Sequence, residues 1–262
     1  MSAGVQSAAP AAGTLYLVPS TLDLHLPEPH VPLANVLPMG VLQRAASLSH
    51  WVVENAKSAR AFLNRLHEVV PLAQPLQSLE ITELPRPAKG HRSSQPPDLT
   101  PLLNPLMAGH DVGLLSEAGM PAVADPGAAL VAMAHARGLV VCPLVGPSSL
   151  LLAITAAGLN GQSFAFVGYL PVDAAQRSER LRDLEALSRR TGQAHWMIET
   201  PYRNAALFDS LLSALSSTTR VAIACGLTTA REWIRTDTVA GWRDEPVVID
   251  TRLPAVFGLQ AT

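Results

Sequence analysis

Between residues 99 and 170, short β-rich runs alternate with helical stretches, and this alternation limits the fold more than any other feature of the chain. Helical spacing covers 99–107, 127–137 and 148–157; apolar strand-like runs cover 111–115, 139–145 and 164–168. A strand that returns through a helix to another strand forms a parallel βαβ unit, because a tight turn cannot reach a parallel neighbour. Gly138 and Gly158 follow the second and third helical stretches, at the position where a helix closes in the left-handed conformation.

The flanking regions read in the same style. A strand over 13–19 ends at Pro19 and is followed by a loop with prolines at 27, 29, 32 and 38. Helical spacing returns over 40–50, a short buried strand over 50–54, and an amphipathic helix over 58–70. Eight prolines between 71 and 105 exclude a long helix there, leaving one edge strand over 79–84 and a basic loop over 86–97 with Lys89 and Arg92. Beyond 170 come a charged helix over 177–190, strands over 194–198, 220–226, 232–239 and 255–259, and a helix over 204–215. The expected organisation is a disordered N-terminus over 1–12, an α/β domain over 13–160 and a second over 161–262, both with parallel strands buried on two faces.

Charge and composition exclude several classes. Charged residues make 15% of the chain against 48% apolar, and the net charge is −2, so the protein is neither disordered nor a polycation. Any nucleic-acid footprint must be local, on the 86–92 loop or the arginines of 177–190. No apolar run reaches the roughly 18 residues of a spanning helix, and the first dozen residues lack the charged and apolar regions of a signal peptide. Cys142 and Cys225 sit in strand-like runs as expected core thiols, consistent with a cytoplasmic protein. The chain contains no G-x-G, no G-K-[ST], no H-E-x-x-H and no G-x-S-x-G, so dinucleotide, P-loop, zinc-protease and hydrolase signatures are all blank, and no metal site is expected.

Two loops at the carboxyl ends of strands are conspicuous, because open α/β sheets bind ligands there. One is Ser116-Glu-Ala-Gly-Met-Pro-Ala-Val-Ala-Asp-Pro-Gly127; the other is Gly146-Pro-Ser-Ser149, leading into a helix whose first N–H groups can hold a carboxylate. Asp125, before Pro126 and Gly127, reads as a helix N-cap, with a catalytic role as the alternative.

The first loop resembles the S-D-A-G-T-P-x-x-x-D-P-G block of the ribosomal small-subunit ribose 2′-O-methyltransferases, a branch of the tetrapyrrole (corrin/porphyrin) methylase family. Residues 138–149 are similar to G-I-x-V-x-P-x-P-G-P-S-A of that branch, 156–159 to A-S-G-L, and 164–171 to F-x-F-x-G-F-L-P. Weaker likenesses lie at 198–203 and 220–229. The resemblance implies two α/β lobes of the class III methyltransferase type with S-adenosyl-L-methionine in the cleft between them, and a homodimer. By matching position it implies cofactor contacts from Pro19, Gly119, Met120, Val123, Ser148, Ser149, Leu227 and Ala255. It also implies ribosomal RNA, in the 30S subunit, as methyl acceptor.

The chain departs from that pattern in two places. The family's P-T-P-I-G-N-L loop stands here as Pro19-Ser-Thr-Leu-Asp-Leu-His25. Its A-E-D-T-R-H-T segment, which faces the substrate, stands as Val53-Glu-Asn-Ala-Lys-Ser-Ala59, so Glu54, Asn55 and Lys57 are the expected acceptor-side residues. An amide at Asn55 cannot take a proton near neutrality, and Lys57 lacks the bidentate fork of arginine. Two other functions therefore stand beside RNA methylation: a noncatalytic, cofactor-binding regulatory protein, and a methylase of a small tetrapyrrole-like ring.

Overall fold

A computed structural model describes residues 11–23, 26, 30–85 and 97–262. Most of the expected N-terminal tail (1–10), and Lys89 and Arg92 of the basic loop, lie outside the described residues. Contacts divide the chain into two compact units, residues 1–24 with 32–147 and residues 25–31 with 148–262.

The first unit runs β1 (Thr14–Val18), α1 (Leu33–Val36), α2 (Met39–Ala46), β2 (His50–Val53), α3 (Ala56–Val69), β3 (Glu80–Glu83), α4 (Thr100–Met107), β4 (Val112–Leu115), α5 (Ala128–Ala136) and β5 (Val140–Pro143). Its five strands lie in the order β3-β2-β4-β1-β5, and every pairing is parallel. The expected edge strand over 79–84 is indeed at an edge. The one-turn α1 has no counterpart in the sequence pattern, because Pro32 and Pro38 bracket it too closely for a period to show.

Alternate strand residues feed opposite faces of this sheet. Val18, Trp51, Val53 and Leu115 pack with Phe62, Leu63 and Leu66 of α3. Leu15, Val52, Val112 and Leu114 pack with Leu103 and Leu106 of α4 and Leu130 of α5. Both faces are thus dry, as expected for a parallel sheet. Trp51 lies across its cross-strand partner Gly113, where a Cβ would come within 2.7 Å of the indole.

The second unit runs α6 (Ser149–Ala157), β6 (Phe164–Tyr169), α7 (Ala174–Thr191), β7 (Ala194–Ile198), α8 (Asn204–Ala214), β8 (Arg220–Cys225), β9 (Trp233–Thr238), α9 (Val239–Asp244) and β10 (Ala255–Gln260). The strand order is β6-β7-β10-β8-β9. Here the expectation of parallel strands is overturned: only β6 and β7 run parallel, while β7–β10, β10–β8 and β8–β9 are antiparallel. The short segment between β8 and β9 cannot carry a crossover, so the chain turns straight back as a hairpin.

Helix α6 keeps its company with this second sheet. Ala157 accepts a hydrogen bond from Thr236 Oγ1 of β9 at 2.8 Å, and contacts place the division of the chain at 147/148, ahead of the glycines near 160. Helix α7 is charged as expected, but Arg177 is no part of a solvated face. Its guanidinium is buried, donating to Ser210 Oγ at 2.9 Å and to the carbonyls of Pro171 and Val172. Cys142 and Cys225 are both free; burial pushes the Cys225 thiol up to about 11, so it is a packing group rather than a nucleophile.

Candidate active site

Strand order decides where the first unit can bind. From β1 the chain leaves toward β2 and β3, returns to insert β4 beside β1, and then crosses to β5 on the other side. Connections from β1 and β4 therefore depart in opposite directions, and the crevice beyond their carboxyl ends is the topological switch point of the sheet.

Sequence-predicted Pro19 and Gly119 meet at that crevice. Pro19 follows β1 and is buried; the next N–H, of Ser20, donates to the Gly119 carbonyl at 2.9 Å. Gly119 has φ +69°, and a Cβ there would stand 3.2 Å from Leu22 and 3.3 Å from the Pro147 carbonyl oxygen. Glycine is required on both counts. The Ser20 hydroxyl is fully buried and has no hydrogen-bond partner among the described residues. Met120 is half-buried and Val123 exposed, on a segment held in an unusual backbone conformation, with Ala122 at φ +66° and Ala124 at φ +61°. Non-glycine residues in this region store strain, a feature that clusters at functional sites.

Beside the crevice, the carboxyl ends of β2, β3 and β4 open into a cavity of about 770 Å³. Its polar wall is Glu54, Asn55, Glu117 and Asp125, and its apolar wall includes Leu84, Leu99 and Leu130. Glu54 follows β2 directly, and its Oε2 accepts the Glu117 N–H at 3.2 Å. Glu117 Oε1 accepts a hydrogen bond from Ser58 Oγ at 3.2 Å, tying the loop after β4 to the first turn of α3. Asn55 is the N-cap of α3: its Oδ1 accepts from Lys57 N at 2.9 Å and Ser58 N at 3.4 Å. Lys57 is exposed and is not part of the cavity wall.

Asp125 corrects the N-cap reading. The cap position of α5 is Gly127, at φ +123°, and no side chain caps this helix. Asp125 instead lines the cavity, where Ser116 hydrogen-bonds its carboxyl. Burial, then the negative charges of Glu54 and Glu117, push Asp125 up to about 6. Asp125 and Glu117 line the cavity although neither stood among the expected site residues, since D-P-G before a helix is the usual signature of a cap. Among the described residues no cluster of His, Cys, Asp and Glu is arranged to hold a metal.

The remaining predicted residues belong to the second unit. Ser148 is the N-cap of α6, its Oγ accepting from Leu151 N at 3.5 Å, and Ser149 begins that helix. Leu227 follows β8 and Ala255 begins β10; both are buried, and they share one end of the sheet because Ala255 pairs with Cys225.

Residues 98–241 match the family model of the tetrapyrrole (corrin/porphyrin) methylases. The chain belongs to this family. Its curated relatives among the tetrapyrrole methylases carry the name ribosomal RNA small subunit methyltransferase I. The protein of Mesorhizobium japonicum is 38% identical over 150 residues, covering 57% of this chain and 50% of that one. That of Micromonospora olivasterospora is 32% identical over 204 residues, 78% of this chain and 56% of the relative. The chain thus spans about half the length of the curated relatives it matches. Among solved structures, the methyltransferase CobJ superposes with a TM-score of 0.56 at 16% identity, covering 96% of this chain and 95% of that one. The cobalamin biosynthetic enzyme cobalt precorrin-4 methyltransferase, CbiF, gives 0.54 at 14% identity, with 94% of each chain covered. These two likenesses establish the class III methyltransferase fold of a tetrapyrrole methylase. Among the described residues, no helix is long and apolar enough to cross a membrane.

Proposed function

We propose that this chain is an S-adenosyl-L-methionine-dependent methyltransferase acting on ribosomal RNA of the small subunit, at a ribose 2′-oxygen. The observation that carries the reading is the likeness of residues 98–241 to the methylase family, together with curated relatives named ribosomal RNA small subunit methyltransferase I. The geometry of the first unit supports it: a switch-point crevice lined by main chain, beside a cavity with three carboxylates.

The crevice residues fit the cofactor. Gly119 leaves a cradle that a side chain would fill, and the buried Ser20 hydroxyl is a hydrogen-bonding group awaiting a partner among the described residues. The first-unit residues that would hold the cofactor are Pro19, Gly119, Met120 and Val123. When bound, the cofactor supplies an electrophilic methyl group on a sulfonium. The chain's own task is then to orient an acceptor hydroxyl, exclude water and hold a proton. Glu54 orders the loop after β4 through the Glu117 N–H, Asn55 orders the start of α3, and Lys57 stands exposed for contact with an RNA phosphate. Because the Asn55 oxygen is spent on capping, an amide serves there as well as an acid would, and that substitution gives no support to a noncatalytic role.

The protein is further proposed to work as a homodimer in the cytoplasm. Its unpaired cysteines suit a reducing compartment, and Leu151 and Leu152 of α6 leave apolar surface for a second copy. The test is transfer of labelled methyl from S-adenosyl-L-methionine to unmethylated 30S subunits, with the modified nucleoside identified by mass spectrometry. A 2′-O-methylated nucleoside in the small-subunit RNA is the expected product. Label found only in a small ring compound, or no transfer with cofactor bound, would overturn the reading.

A further inference from the structure

A methyl acceptor that is a hydroxyl must lose its proton, and among the described residues of the cavity wall Asp125 is the group best placed to receive it. Asn55 is an amide already engaged in capping. Glu54 accepts the Glu117 N–H and Glu117 accepts from Ser58 Oγ, bonds that tie the loop after β4 to the end of β2 and to α3. The hydrogen bond to Asp125 comes from Ser116, within its own loop, and ties nothing else in place. Asp125 is the third carboxylate on the cavity wall. It is half-buried, caps no helix, and follows two alanines held at positive φ, Ala122 and Ala124. A carboxylate that caps no helix and stands in the cavity wall beside strained main chain is placed for a purpose other than stability.

We propose that Asp125 is the general base of this chain, taking the proton from the acceptor hydroxyl as it is methylated. This inference rests on the methyltransferase reading given above. The hydroxyl O–H bond breaks and its proton passes to an Asp125 carboxylate oxygen. The hydroxyl oxygen forms the new bond to the methyl carbon, and the carbon–sulfur bond breaks with its electron pair kept by sulfur. No oxidant or further reactant is needed.

The surroundings suit that task. Among the described residues, the charged groups facing Asp125 are Glu54 from the end of β2 and Glu117 from the loop after β4, and a hydrogen bond from Ser116 acts against them. Burial and these two negative charges hold the carboxyl at about 6, ionised at neutral pH yet more basic than a free aspartate. Glu54 and Glu117 therefore do two things: they fix the loop, and they raise the basicity of their neighbour.

The test compares the full chain with Asp125→Asn and Asp125→Glu, using 30S subunits as acceptor and calorimetry with S-adenosyl-L-methionine as a separate readout. Asp125→Asn should lower kcat by about 10²–10⁴-fold while cofactor affinity stays within about twofold. Asp125→Glu should recover part of the rate. In the parent protein kcat/KM should rise about tenfold per pH unit below pH 6 and level off above it, and that limb should vanish in Asp125→Asn. If Asp125→Asn retains kcat, or loses cofactor affinity while kcat of the saturated enzyme is unchanged, the assignment is wrong although the methyltransferase reading survives. If the parent protein binds cofactor and methylates neither RNA nor any other hydroxyl, both fall together.

Discussion

Two aspartates on loops of different units show how the same side chain is set to opposite purposes. Asp125, in the first unit, is surrounded by negative charge and burial, and its carboxyl is pushed up to about 6. Asp250, in the second, is gripped by Arg252 and Arg231, and its carboxyl is held far below the usual range. The pattern extends to their neighbours. Glu54 has a backbone N–H on its carboxylate, whereas Glu199, after β7, is clamped by Arg203 at 2.7 Å. Packing in the two units is by contrast alike: Trp51 over Gly113 in one sheet and Trp196 over Gly258 in the other, each pair facing across adjacent strands. Carboxylates matched to cations stabilise; a carboxylate left among its own kind stores free energy that chemistry can use.

The sharpest way to break this contrast is to take the cation from the second unit. The Glu199 side chain is 3% exposed and its Oε1 is held by Arg203 and by Thr200 N–H at 2.7 Å. Arg203→Leu strands a buried charge, and we expect a loss of about 3 kcal/mol, measured by urea unfolding at pH 7.5. Arg203→Leu together with Glu199→Gln should recover most of it. A loss no smaller in the double variant would show that packing, not charge, is what Arg203 contributes.

The shared packing device can be tested next. A Cβ at Gly113 or at Gly258 would lie 2.7 Å from a buried indole. Gly113→Ala and Gly258→Ala should each cost about 1–3 kcal/mol by overpacking. Equal losses would support the likeness of the two sheets, and a loss in one alone would confine the device to that unit.

Asp125 gives the opposite sign to Arg203. Its folded pKa lies above the unfolded value near 3.8, so the folded state binds more protons between about pH 4 and 6 and loses stability as pH rises through that window. Asp125→Asn should therefore be more stable than the parent at pH 8, by about 1–2 kcal/mol after allowing for partial exposure, and no more stable at pH 3.5. Thermal unfolding at the two pH values decides it. A variant that is less stable at pH 8 would mean that the carboxylate is a structural partner and the stored free energy is absent.

How far the sequence reached differs between fold and site for identifiable reasons. Periodicity located the ten strands found among the described residues, and it located α3 and α6 closely, because each buries an apolar stripe or run. It could not say that β8 and β9 form a hairpin, since alternation along a strand carries no information about the direction of its neighbour. Helix α9 was hidden in its six residues, where a Thr238 cap and the buried Val239 and Trp242 make one turn and a half without a visible period. At the crevice, Gly119 stood out in the sequence because a backbone at φ +69° favours the residue without a side chain. In the sequence Asp125 reads first as a cap, with catalysis as the alternative; the structure puts Gly127 at the cap position, at a torsion that no neighbouring residue type announces. Arg177 likewise looked like one more surface charge until its carbonyl and hydroxyl partners came into view.

The smallest effect belongs to His195, which extends the comparison from strand ends to a sheet interior. The side chain is 1% exposed in β7, and neither ring nitrogen has a hydrogen-bond partner among the described residues. Desolvation, helped by the positive charge of Arg180, lowers its pKa from the ordinary 6.5. The folded state thus binds fewer protons than the unfolded one, so stability is complete above pH 6.5 and declines as pH falls below it. His195→Leu should flatten that decline and leave stability at pH 8 nearly unchanged. The readout is urea unfolding at pH 8, 6.5 and 5.5, with Asp125→Asn as background so that the aspartate's opposing slope does not mask it. An undiminished decline in His195→Leu would assign the acid sensitivity of the second unit to its ion-paired carboxylates, and so return the contrast to charges at the strand ends.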